Sequence, residues 1–276
     1  MQRGRHGDRG GGRAAGRLSA LDRYRDLRAG PGPDHFIIEG AVAVARLLQA
    51  LREGETELEL ESIVCTPSQR ARLEIPADVE IHELPRAQIA ALAGFDFHRG
   101  VLACARRPPL RRELEVWLIE RLRERERVTV VVAEALADPR NLGALIRNAA
   151  AFCVDLVIAD ARGADLYSRL AIRAGVGNVF RLPSLVSDAL PITVASLARA
   201  LGAEVVAATP ASDAIALPEF RAPAKRILLV GNEGAGLSPE LLRLADHRVR
   251  VPVAAASDSV NVAAATAVLL YALGQT

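Results

Sequence analysis

An α/β fold with a parallel sheet in its second half is predicted for this chain, and three observations carry that expectation. First, its 276 residues suffice for two domains, and with 50% apolar and 25% charged residues both can bury a core. Second, the apolar runs 128–133, 156–159, 205–208, 227–230 and 249–253 are continuous, as strands buried on both faces are. Third, segments with helical character lie between them at 141–152, 190–201 and 239–245, with a last one at 260–273. Strand–helix alternation implies a parallel sheet covered by helices on both sides. Ligands of such sheets bind beyond the carboxyl ends of the strands, so the loops after those runs are where chemistry is to be sought.

The elements follow in order. Residues 1–17 carry Arg3, Arg5, Arg9, Arg13 and Arg17 against Asp8 alone, spaced by glycines. So little apolar surface cannot offset the entropy of ordering, and residues 1–20 are expected to form a disordered basic arm. Arginine forks match phosphate geometry, so the arm could neutralise a polyanion; a solvated leader accounts for it equally well. From 21 to 106 a smaller α/β unit is expected, with strand-like runs at 36–38, 62–65, 79–83 and 100–105 and helical patterns at 41–51 and 86–92. Residues 107–127 read as a linker and bridging helix. Pro108 and Pro109 remove backbone donors among flanking arginines, and Trp117, Leu118 and Leu122 recur at helical spacing. The second domain then occupies 128–276.

Composition excludes several classes. No apolar run approaches the roughly 20 residues of a membrane helix, and the N-terminus lacks the apolar centre of a secretory signal, so a cytoplasmic location is expected. Cys65, Cys104 and Cys153 are far apart and read as small core residues, not as a disulfide framework or a zinc site. His6, His35, His82, His98 and His247 show no metal-ligand spacing, so no metal is expected. Net charge is only +2, and since Lys225 is the only lysine, arginine carries the positive charge.

Three loops stand out. The first, Asp138-Pro139-Arg140-Asn141-Leu142-Gly143-Ala144-Leu145-Ile146-Arg147-Asn148, follows the 128–133 strand and opens a helix with Asn141 at the N-cap. The second, Gly231-Asn232-Glu233-Gly234-Ala235-Gly236-Leu237-Ser238-Pro239, runs from a buried strand through a glycine-rich turn to a helix capped by Ser238. Its spacing is neither a dinucleotide fingerprint nor a P-loop, and an embedded Glu233 would repel phosphates, so it favours a cationic or neutral ligand. The third, 251–263, leads from a strand through Ser257-Asp258-Ser259 into the last helix, with Ser259 the cap candidate and Asn261 in the first turn.

In this order and at these intervals the three loops resemble the three motifs of the SpoU (TrmH-like) family of RNA ribose 2′-O-methyltransferases, within the SPOUT superfamily. Residues 36–40 and 97–103 resemble the ends of that family's substrate-binding domain, a small α/β fold similar to a ribosomal protein. The resemblance implies a trefoil-knotted methyltransferase domain, a homodimer, S-adenosylmethionine as cofactor and RNA as substrate, ribosomal RNA before transfer RNA. A non-catalytic RNA-binding protein that retains the fold is the rival. The resemblance carries over Asn141, Arg147, Glu233, Ser259 and Asn261 as catalytic positions. The cofactor positions it implies are Thr209, Gly231, Asn232, Gly234, Gly236, Leu237, Val251, Pro252 and Val260, and Arg147, His98 and Arg99 are candidates for RNA contact. The chain departs from the family at Ala255 or Ala256, where a glycine is usual, at Ala263 and at Gly175, where serine is common. Because a guanidinium gives up its proton only far above neutral pH, the resemblance implies that Arg147 acts as a charge on the acceptor hydroxyl and its phosphate, not as a free base.

Overall fold

A computed structural model describes residues 20–28, 31–108, 112–254 and 260–274, with side chains of 112–117 excepted. The arm read from residues 1–17, the Trp117 side chain and Ser259 fall outside the described residues.

The first unit is a four-stranded mixed sheet with its helices. Its elements are β1 (His35–Glu39), α1 (Ala41–Glu53), β2 (Leu60–Cys65), α2 (Pro67–Arg70), β3 (Glu80–Glu83), α3 (Arg86–Ala93) and β4 (Val101–Arg106), with strand order β1-β4-β2-β3. β4 pairs antiparallel with both β1 and β2, whereas β2 and β3 are parallel. Side chains alternate across the pleat, so Phe36, Ile38, Ile63, Val101 and Ala103 join the core with α1. Ile37, Val64, Leu102 and Cys104 face the other way, onto Ile89 of α3 and Tyr24. The Tyr24 hydroxyl, wholly buried, is satisfied by the carbonyl and hydroxyl of Ser62 at 2.8 and 2.9 Å.

The second unit comprises α4 (Arg112–Arg123), β5 (Val128–Ala133), α5 (Pro139–Ala151), β6 (Leu156–Asp160), α6 (Arg169–Ala174), β7 (Ser184–Ser187), α7 (Leu190–Leu201), β8 (Glu204–Ala208), β9 (Ile215–Ala216), β10 (Lys225–Val230), α8 (Pro239–Leu244), β11 (His247–Arg250) and α9 (Val262–Gly274). The seven strands lie in the order β7-β6-β5-β10-β8-β11-β9, every neighbouring pair parallel. Val131, Ala133, Val157, Leu228 and Val230 pack beneath α5 and α9. Val130, Val132, Leu156, Ile158 and Leu229 meet α7, α8 and Leu122 of α4 on the opposite face. Both faces are dry, which is why the strands read as continuous apolar runs, and each buried Val or Leu contributes about 1.5–3 kcal/mol. β10 enters between two strands already laid down, and α9 returns to α5, where Asn148 Nδ2 donates to the Ala263 carbonyl at 2.7 Å. Such out-of-sequence connectivity is what a knotted domain requires.

The reading of all three cysteines as core residues needs correction. Cys65 and Cys104 are buried, but Cys153 is exposed, in a left-handed turn (φ 53°) that ends α5. None of the helices among the described residues is long and apolar enough to cross a membrane.

The two units share an apolar seam. The Phe36 ring lies 4.8 Å from that of Tyr167, and α1 docks on the turn after α6, where a Cβ on Gly177 would come within 3.1 Å of Ala43 Cα.

Candidate active site

Strand register brings the three loops to one edge. Val230 of β10 pairs with Ala133 of β5, Leu229 with Ala207 of β8, and Ala208 with Val249 of β11. Thr209, Gly231 and Val251 therefore leave adjacent strands at their carboxyl ends, with Thr209 N donating to the Val249 carbonyl at 3.0 Å.

The loop after β10 is closed on itself. The backbones of Asn232 and Gly236 exchange hydrogen bonds of 3.1 and 2.9 Å, and a Cβ on Gly231 would sit 2.3 Å from Gly236 carbonyl carbon, so only glycine fits there. The Asn232 side chain accepts from Gly234 N and Ala235 N, both at 2.9 Å, and donates to the Ala135 carbonyl at 2.8 Å. A second tie is Glu134, 4% exposed, whose carboxylate accepts from Ser238 N at 2.7 Å where α8 begins, and from Arg162 at 3.3 Å. Ser238 caps α8 with Pro239 in the first turn, as its sequence suggested. Glu134 went unnoticed in the sequence; an acid placed immediately after a fully buried strand was the available signal.

Glu233 joins this loop to the other two. Its Oε1 accepts from Asn141 Nδ2 at 2.8 Å and its Oε2 from Ala137 N at 3.3 Å. Asn141 Oδ1 in turn accepts from Asn261 Nδ2 at 2.9 Å. A hydrogen-bonded line thus crosses residues 92 and 120 positions apart in the chain. Partial burial acts to raise the Glu233 carboxyl, but the hydrogen bonds from Asn141 and from backbone N–H groups outweigh it and leave its pKa below the ordinary value.

Two cap assignments change. Asp138, accepting from Arg140 N at 2.8 Å, caps α5, which frees the Asn141 amide to bridge two loops from the first turn. Asn261 itself caps α9, its Oδ1 accepting from Ala263 N at 2.9 Å, where the sequence suggested Ser259.

The remaining candidates are dispersed. Arg147 is exposed on α5, six residues past Asn141 and so about 120° round the helix and 9 Å along it. No hydrogen bond or ion pair joins it to Asn141, Glu233 or Asn261 among the described residues. Its positive charge, after burial and Arg181, helps lower the pKa of Arg46 on α1. His98 lies between Arg86 at 2.7 Å and Asp96 at 3.0 Å, and Arg99 meets Glu39 at 3.2 Å, all on the first unit. Leu237 packs on the core beneath α7 and α8, while Val260 is exposed. Gly234 and Gly236 present backbone with no atom crowding the side a Cβ would take, save Asn232 Oδ1 at 3.6 Å from Gly234. Residues 209–211, 231–237 and 251–254 hold no lysine or arginine. Among the described residues no group of three or more His, Cys, Asp or Glu side chains could hold a metal ion.

Such an edge, polar, acidic and glycine-lined, suits a neutral or cationic ligand. Comparison with known proteins points the same way. Residues 128–271 match the model of the SpoU rRNA Methylase family. An uncharacterized tRNA/rRNA methyltransferase of Mycobacterium bovis is 34% identical over 92% of the chain and 85% of its own length. A 23S rRNA (guanosine-2′-O-)-methyltransferase of Acinetobacter baylyi is 26% identical over 87% of the chain and 96% of its own. The AdoMet-bound rRNA methyltransferase of Sinorhizobium meliloti superposes with a TM-score of 0.72 at 25% identity, covering 92% of both chains.

Proposed function

The chain belongs to the SpoU rRNA Methylase family, and on that premise we propose that it transfers a methyl group from S-adenosylmethionine to a ribose 2′-hydroxyl of structured RNA in the cytoplasm, with ribosomal RNA the first candidate. The observation that carries the reading is the line Glu233–Asn141–Asn261, which ties the three loops at one sheet edge. The Acinetobacter relative is named for this reaction on 23S rRNA, and the Sinorhizobium structure holds the cofactor.

S-adenosylmethionine supplies an electrophilic methyl group on a cationic sulfur. Residues 209–211, 231–237 and 251–254 fit it, holding no lysine or arginine and being open beside Gly234 and Gly236. Thr209, Gly231, Asn232, Gly234, Gly236, Leu237, Val251, Pro252 and Val260 would hold it. Glu233, kept ionised by its donors, holds the cofactor loop to α5, and Asn141 passes that constraint to Asn261 at the start of α9. In-line displacement needs the ribose oxygen about 3 Å from the methyl carbon, so fixing these loops is the main contribution of the protein. Arg147 grips the acceptor phosphate and, through its charge, lowers the pKa of the adjacent hydroxyl. Only RNA carries that hydroxyl, so DNA is inert. The first unit, with Arg99 and His98, adds affinity for folded RNA. A homodimer is part of the reading, supported by the apolar outer side of α9, where Val268 and Tyr271 are exposed beside Phe152.

Transfer of radiolabelled methyl from S-adenosylmethionine to ribosomal and transfer RNA of cells lacking the protein, followed by mapping of 2′-O-methyl positions, is the test. Label in transfer RNA alone would replace the substrate. Failure to bind S-adenosylmethionine in calorimetry, with RNA binding intact, would leave a non-catalytic RNA-binding protein.

A further inference from the structure

The seam between the two units holds a charge imbalance. Glu39, at the end of β1, is 3% exposed, yet three guanidiniums converge on it. Arg99 of the first unit reaches Oε1 at 3.2 Å; Arg169 and Arg173, both on α6 of the second, reach Oε2 at 2.6 Å and Oε1 at 3.6 Å. One carboxylate neutralises one charge, so about two positive charges are left over. Arg169 is largely enclosed, whereas the side chains of Arg99 and Arg173 are 43% and 46% exposed. Among the described residues Glu39 is the only carboxylate that either of them meets. Each guanidinium has five donors, and the approach to Glu39 is made through Nε of Arg99 and Nη1 of Arg173.

The two arginines are also held in place. Gly40 (φ 98°) lets the Arg99 side chain lie across the backbone, with Cδ only 3.3 Å from where a Cβ would be. Just beyond Arg173, Val176 adopts φ 54°, a strained conformation for a β-branched residue, and its carbonyl accepts from Arg46 of α1 at 2.6 Å. That strain persists because Gly177 packs on Ala43 and Phe36 on Tyr167, so the seam is over-determined and the two arginines approach the same Glu39 oxygen from segments held against each other. Arg46 and Arg147 continue the positive charge along α1 and α5.

We propose that Arg99 and Arg173 form one site for a backbone phosphate of RNA, half supplied by each unit, with Glu39 as the pin that sets their spacing. The proposal rests on the reading that the protein acts on RNA. A phosphate here touches both units at once, so RNA is gripped at the seam and led along the arginines toward Arg147. Two forks around one phosphate give charge-assisted, geometrically specific hydrogen bonds, and each phosphate neutralised releases counterions.

The test is the salt dependence of affinity for a fluorescein-labelled RNA stem-loop, by anisotropy of the full chain between about 50 and 200 mM salt. Arg173→Gln and Arg99→Gln are each expected to weaken binding several-fold and flatten the log–log slope by about one, with thermal midpoint and S-adenosylmethionine affinity unchanged. The double variant should lose no more slope than either single one, and Arg173→Lys, which keeps the charge, should recover most of it. An unaltered slope, losses that add, or weakened RNA binding that comes with a lower midpoint would each overturn the site, the last by revealing a structural clamp. Should the unsubstituted protein bind no RNA, the reading beneath the proposal fails as well; binding with an unaltered slope in the variants removes the proposal alone.

Discussion

Glu233, at the candidate edge, and Arg147, exposed on α5, make opposite demands on their surroundings. Glu233 is useful as an anion, and its donors hold its pKa below the ordinary carboxylate value of about 4.3. A depressed folded-state pKa means that the contribution of the carboxylate is complete above the ordinary value and is lost as pH falls through the folded one. Affinity for S-adenosylmethionine, followed by calorimetry, should therefore stay level from about pH 7 to 5 and fall off below about 4.3, and Glu233→Gln should weaken binding while removing that acid limb. An unchanged acid limb in the variant would assign the titration to another group. Arg147, by contrast, has no hydrogen-bond or ion-pair partner among the described residues, so nothing in the folded chain depends on its shape. Arg147→Lys should leave thermal stability and S-adenosylmethionine affinity as they were and lower kcat on RNA on the order of a hundredfold, because a point charge does not reproduce the planar fork. Near-normal turnover of that variant would remove Arg147 from the reaction. At this scale the sequence was informative where a polar residue interrupts a loop of small ones, as with Glu233 and Asn261. It misled over which residue caps a helix: Asp138 and Asn141 are both good caps, and only the tertiary bond to Glu233 decides between them.

Among the elements, the crossing of α5 and α6 tests packing against propensity. Alanine is about 1 kcal/mol better than glycine inside a helix, so Gly143→Ala would stabilise α5 in isolation. A Cβ there would lie 2.3 Å from the Ala171 carbonyl oxygen and 2.8 Å from Ala174 Cβ, contacts that neither rigid helix can relieve. Overpacking of that kind costs about 1–3 kcal/mol and more where backbone must shift, so the clash wins. Thermal unfolding of Gly143→Ala should show a midpoint several degrees lower, at roughly 2–4 °C per kcal/mol for a domain of this size. A midpoint equal to or above that of the parent chain would mean that the helices do not cross at Gly143. The same crossing marks where the sequence was hardest to read. Buried strands such as β5 and β10 declare themselves as unbroken apolar runs. α6 has six residues and β7 four, the latter an edge strand only partly covered, and neither is long enough for a period to show. Nor did any local pattern announce that β10 enters between β5 and β8, since strand order is set by contacts far apart in the chain.

For the molecule as a whole, the last helix poses a question that one chain does not answer. α9 contains no charged residue, and an apolar helix of that kind is at home only when covered on all sides. Its inner side is covered: Ala263, Thr266, Leu269, Leu270 and Leu273 are buried. Its outer side is not, for Tyr271 is 60% and Val268 45% exposed, and the Tyr271 ring meets that of Phe152, itself partly exposed, edge-on at 6.3 Å. A cluster of two aromatics and a valine beside the end of α5 is the kind of surface that a second copy of the chain would bury. A charge placed there would be desolvated in the dimer and free in the monomer, so it acts on association and spares the fold. Light scattering coupled to gel filtration should accordingly find the parent chain dimeric and Tyr271→Glu monomeric at the same micromolar concentration. The variant should keep its α/β circular dichroism while losing methyl transfer, if the acceptor side of each site depends on the second copy. A monomeric variant with full activity would show that one chain suffices for the reaction. A dimeric Tyr271→Glu would place the interface on another face and leave the exposed side of α9 without a partner.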